Sequence, residues 1–138
     1  MRPPDEVKRD LVRRWLAKAD EDLDAAKALL THRDAFLAVV CFHAQQAAEK
    51  YLKAFLTWHQ IEFPKTHDIG ELLELVDCVD AQLSRSLSSG AALTAYGVEV
   101  RYPADTPELS EQEARDAMDL AENVRDAIAG TLDPGLMG

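Results

Sequence analysis

Metal and redox chemistry find little to work with in this chain. Its two cysteines, Cys41 and Cys78, stand in no paired-ligand spacing and each among apolar neighbours, so they read as reduced core thiols rather than a disulfide. There is no Cys-x-x-Cys, no His-Glu-x-x-His and no Glu-x-x-His, the last being what a di-iron bundle would use. No metal and no cofactor is therefore expected. The six glycines are isolated from one another, which leaves no glycine-rich loop to cradle a phosphate. A nucleophile elbow is missing as well. No run of about 18 apolar residues occurs, so no membrane span is expected. The opening residues, Met1 to Glu6, lack the apolar stretch of a secretion signal, and the expected location is the cytoplasm.

Positive charge is scarce in the second half. Residues 1–60 carry 10 Lys and Arg against 9 Asp and Glu, whereas residues 61–138 carry 5 against 16, within a formal net charge of −10. An acidic half repels phosphate backbones. That argues against a grip on duplex DNA and confines any nucleotide or RNA contact to a local basic cluster. What the chain does have is apolar residues, 47% of 138, enough to argue against disorder and for one helical domain over residues 1–138.

The apolar residues recur at helical spacing throughout. Val12, Trp15, Leu16, Ala19, Leu23, Ala26 and Leu30 mark a long first helix, with Pro4 tolerable in its first turn. Asp34 is the expected N-cap of a second helix running to about His59. That helix is apolar on two faces: Phe36, Val40, Ala44, Ala47 and Tyr51 on one, Leu37, Cys41, Ala48, Leu52 and Phe55 on the other. Such a helix belongs at the centre of a bundle or in a subunit interface. Pro64 breaks the pattern, and Asp68 with Glu71 resembles a capping box for a third helix with Ile69, Leu72, Leu73, Val76, Val79 and Leu83 inward. Leu87, Ala91, Leu93, Ala95 and Tyr96 suggest a fourth helix ending before Pro103. Ser110 and Glu113 cap a fifth, with Ala114, Ala117, Met118, Ala121, Val124 and Ile128 as its inner stripe until Gly130. The only candidate strand, residues 96–100, is short. The expected fold is an all-α, up-and-down helical bundle of four long helices plus a shorter fifth.

Polar residues interrupt the second helix where an ordinary core helix would carry Leu and Ala. Gln45 and Gln46 are adjacent amides, and Gln46, Glu49, Lys50 and Lys53 share a broad polar flank. Glu49 to Lys53 is the favourable i,i+4 ion-pair orientation. Amides on a nearly all-buried helix demand partners, so this flank reads as a pocket wall or a subunit contact. His43 reads as a satisfied structural histidine, and His67 as one that caps a helix or bonds across to another. His32 and His59 read as exposed helix ends. Arg101-Tyr102-Pro103 sets a planar cation beside an aromatic before a rigid turn, suited either to a carboxylate, phosphate or base, or to pairing with Glu99 or Asp105.

Three islands taken together, Gln45-Gln46-Ala47-Ala48-Glu49-Lys50-x-Leu52-Lys53-Ala54, Thr66-His67-Asp68 followed by Leu72, and Arg101-Tyr102-Pro103, resemble the HEPN family of small prokaryotic helical proteins. Trp15, Ala19, Asp22 and Leu23 fit the way such chains begin, and the resemblance spans roughly residues 10–130. It implies a helical bundle, a homodimer or higher homo-oligomer, and a minimal nucleotidyltransferase as partner, often in a toxin–antitoxin pair. It also implies nucleotide binding in some members and metal-independent ribonuclease toxins in others. The nucleases carry an arginine followed after four to six residues by a histidine, and no histidine follows Arg101 at that spacing. The chain therefore reads as a partner protein, more an interaction module than an enzyme. Gln46, Glu49, Lys50, Lys53, His67, Arg101 and Tyr102 are its candidate nucleotide- or partner-binding residues. No catalytic residue is assigned.

Overall fold

A computed structural model of the chain describes residues 4–32, 34–97 and 109–137. Among them the fold is helical without a strand, as the periodicity predicts. The first helix, α1, spans Pro4–Leu30 and buries Val12, Leu16, Ala19, Leu23 and Ala26. The second, α2, spans Leu37–Trp58 and packs against α1 along its length. Both apolar faces expected of α2 are buried from Val40 to Phe55. Only their first members escape, since Phe36 is exposed and Leu37 half-buried.

Asp34 is not the cap of α2. A tight turn, with the Ala35 N–H donated to the His32 carbonyl at 3.2 Å, leaves Asp34 outside the helix. Phe36 takes the N-cap position with φ 62° and ψ 22°, and no side chain accepts a bond there. A left-handed non-glycine residue costs about 1–2 kcal/mol. The edge-on contact of its ring with His32, centroids 5.6 Å apart, helps hold it. At the other end Gln60 (φ 58°) closes a Schellman turn, with the Ile61 N–H bonded to the Leu56 carbonyl at 2.9 Å. The chain then turns back along the bundle.

Asp68 caps α3, Ile69–Asp77, accepting from the Gly70 and Glu71 N–H groups. The expected longer helix breaks here. Asp80, in extended conformation, caps a separate α4, Ala81–Ser86, by accepting the Leu83 N–H. The break turns Val79 outward, 38% exposed, and leaves Cys78 exposed rather than in the core; Cys41 is buried as expected. Where a fourth long helix is predicted, residues Ser88–Gly97 wind as a 3-10 segment, with Leu93 buried and Ala95 exposed. Serines and a glycine at its start weaken the wider helix. Ser110 accepts the Glu113 N–H at the head of α5, Glu111–Ala129, whose six expected inner residues are all buried. A last turn, α6, Pro134–Met137, follows. Arg9 fastens this end to α1 by bonding Asp133 at 2.8 Å and Asp5 at 3.1 Å. That bond from Arg9 holds the Asp133 carboxyl below the usual carboxylate range. The long helices among the described residues are thus α1, α2 and α5, and α2 lies centrally, packed against α1, α3, α5 and the 3-10 segment.

Candidate functional site

The polar residues of α2 divide between two of its neighbours. One set faces the loop that joins α2 to α3. Gln45 is fully buried and donates its amide to the His67 carbonyl at 2.9 Å, while its own oxygen accepts from Gln46 at 2.6 Å. The Glu49 carboxylate, 3% exposed, takes Lys53 Nζ on one oxygen at 3.2 Å and His67 Nδ1 on the other at 2.7 Å. A carboxylate can only accept, so Nδ1 is the donor in this bond. The His67 side chain is 66% exposed. A buried acid therefore holds a surface imidazole by one edge and leaves the other edge to solvent.

The frame around this pair is tight. The Lys53 ammonium lies 5.5 Å from the Trp15 ring and 5.7 Å from that of Phe63, which meet edge to face at 6.1 Å. Two rings and one carboxylate thus replace its water. Thr66 accepts the Asp68 N–H at 3.0 Å, and Thr94 of the 3-10 segment accepts the Ile69 N–H at 3.0 Å, fixing the loop from both ends. Gly97 comes so close to Gln45 that a Cβ there would stand 3.0 Å from the amide carbon. Every buried side-chain polar atom among the described residues has a partner.

The second set faces α1. Asp22 accepts from His43 Nδ1 at 2.9 Å and from Lys50, and Tyr51 next to Lys50 donates to Asp20. The Tyr51 hydroxyl holds its proton well above the ordinary phenol value, first because it is buried and then because of that bond. His43 is a bonded structural histidine, as expected. His32 and His59 are exposed, also as expected.

Of the candidate residues, the fold brings Gln46, Glu49, Lys53 and His67 into one network with Gln45. It sends Lys50 to the other side, into the Asp22 cluster. Arg101 and Tyr102 lie outside the described residues. Asp20 and Phe63 are partners that the sequence did not single out, while Asp22 was noted only for its fit to the family's first helix and Tyr51 only for its apolar face. Asp22 had a usable signal, since it falls midway between the apolar Trp15 and Leu29 at steps of seven.

Chemically, an imidazole oriented through Nδ1 offers Nε2 to a hydroxyl or a phosphate, as an acceptor or, when protonated, as a donor. Lys53 is buried and committed to Glu49, so it does not supply a free cation beside that nitrogen. No three His, Cys, Asp or Glu side chains converge in a metal-binding group among the described residues. No described helix is long and apolar enough to cross a membrane.

A family model described as the HEPN domain matches residues 12–131. The crystal structure of TT1696 from Thermus thermophilus is similar at 29% identity, with a TM-score of 0.70, covering 88% of this chain and 98% of that one. The structure of ST0689, an archaeal HEPN homologue, shares the fold at 23% identity and a TM-score of 0.67, with the same coverage, 88% and 98%. The chain matches no curated protein.

Proposed function

This chain belongs to the HEPN family, and we propose that it works there as an interaction protein: a cytoplasmic homodimer or higher assembly that docks a minimal nucleotidyltransferase and holds a nucleotide. The observation that carries this reading is the exposed His67 ring braced by a buried acid, a buried ammonium and a buried amide. Burying an ion pair costs several kcal/mol of lost hydration, and apolar residues would fill the space at least as well. The arrangement is understandable as one that fixes a surface polar edge for a ligand or a partner. Lys53 acts through Glu49 as a positioning residue, and Gln46 steadies Gln45. Arg101 and Tyr102, outside the described residues, are proposed as further contacts on sequence grounds alone, and Lys50 serves the α1 side.

Titration calorimetry with ATP, GTP and dinucleotides tests the nucleotide part. Binding that weakens at least tenfold in His67→Ala supports it, and no heat at millimolar nucleotide removes it. Light scattering tests the assembly: a clean monomer at micromolar concentration would end that part. Co-purification with a nucleotidyltransferase from an adjacent reading frame tests the partner.

A second reading, a metal-independent ribonuclease toxin of a toxin–antitoxin pair, draws on one observation, an exposed imidazole oriented through Nδ1. Against it, RNA cleavage also needs a group to steady the phosphorane, and no histidine lies at the expected spacing after Arg101. RNA incubated with the protein in EDTA decides. Cleavage lost in His67→Ala or Arg101→Ala would favour this reading, and intact RNA the first.

A further inference from the structure

Along α1, Val7 and Leu11 are 42% and 43% exposed, and Trp15 continues their line at the same four-residue step. Arg14 and Lys18 flank this seam and enclose with Leu11 and Trp15 a cleft of about 220 Å³. In a chain of net charge −10, these two cations form no ion pair with any described acid. They also stand four residues apart on one helix, a like-charge spacing that weakens a helix in isolation.

We propose that this seam is a docking site for an acidic amphipathic helix of a different protein, with apolar residues at i, i+4 and i+8 against Val7, Leu11 and Trp15 and carboxylates against Arg14 and Lys18. It does not depend on nucleotide binding. Two observations select this occupant. A line of apolar residues at four-residue steps is the footprint of a packed helix. The Trp15 ring already engages Lys53 and the edge of Phe63, so it is poorly placed as a stacking platform for a nucleic-acid base. The overall negative charge does not prevent docking of an acidic helix, because beyond about 8 Å it is screened at physiological salt while the local pairs are not.

The test is an amide-resolved NMR titration of the whole chain with a designed helical peptide, leucines at i, i+4 and i+8 and glutamates between them. The expected result is shifts at residues 7–18 with micromolar affinity. Arg14→Glu with Lys18→Glu, both on the surface, should weaken binding by roughly tenfold, since two favourable rim pairs become repulsive. The same variant should gain affinity for a peptide with lysine in place of glutamate. No binding, shifts elsewhere, or equal affinity in the double variant would each overturn the proposal. Shifts at these residues from single-stranded RNA would point to nucleic acid instead. A homodimer in light scattering that Leu11→Glu dissolves would assign the seam to a second copy.

Discussion

The two faces of α2 that carry charge differ first in access to water. On the loop side, the Glu49 and Lys53 side chains are 3% and 8% exposed; on the α1 side, those of Asp22, Lys50 and His43 are 13%, 21% and 28% exposed. Both clusters join a carboxylate to a lysine and a histidine through Nδ1, so their chemistry is nearly the same. Burial separates them. Where water is excluded, losing one partner strands a charge; where water reaches, solvent takes the partner's place. The dry cluster also ends in an exposed ring and the wet one does not, so rigidity is concentrated behind the surface that a ligand would meet.

The largest expected effect follows directly. Glu49→Ala should destabilise by about 3–5 kcal/mol, since Lys53 is left buried without its acid. Asp22→Ala should cost only about 1 kcal/mol, because Lys50 and His43 can be solvated. Replacing Glu49 and Lys53 together by methionine should recover most of the loss while abolishing any binding that depends on His67. Urea midpoints at constant slope measure all three. Equal losses for Glu49→Ala and Asp22→Ala would mean that burial does not distinguish the two faces.

Gly97→Ala comes next. The new methyl would press on the Gln45 amide, which is fully buried and bonded on both ends. Overpacking of this kind costs about 1–3 kcal/mol. The Gln45 side-chain amide resonances should move with it, because its bond to the His67 carbonyl must lengthen. A variant as stable as the parent with unmoved resonances would show that the 3-10 segment yields and that the dry cluster is not held from that side.

Much of this was readable from spacing alone, and the part that was not has a physical cause. The inner stripes of α1 and α5 are local, three- and four-residue patterns on helices long enough to average out exceptions. The caps at Asp68 and Ser110 are local too, a side chain reaching its own backbone two or three residues on. Asp34 had the right chemistry for a cap and lost to a turn closed by His32 and Phe36, which depends on how the chain leaves α1. The break at Asp80 was masked by an apolar pattern that continues through Val79. The polar flank shows the limit most clearly. At about 100° per residue, Lys50 lies far round the helix from Glu49, and within about 20° of His43 seven residues before it. That grouping was in the numbers. Which neighbour waits at each angle is a matter of packing, and a single helix does not encode it.

The smallest effect tests the wet side and concerns pH. Tyr51 is buried and donates to Asp20, so folding raises its pKa above the unfolded value of about 10. Below pH 10 both states keep the proton, and the contribution of this group to stability is fully present. Above it the unfolded chain gives up the proton while the folded chain retains it, so stability must fall as pH rises, by up to about 1.4 kcal/mol per unit from this one group. Tyr51→Phe cannot ionise and should show a shallower alkaline fall. At neutral pH it should cost only about 1 kcal/mol, the net worth of one hydrogen bond whose acceptor, Asp20, is exposed and can turn to water. Unfolding midpoints of the two proteins between pH 8 and about pH 11 therefore have to converge. Parallel curves would mean that the phenol loses its proton as readily in the fold as outside it, which its burial against α1 forbids.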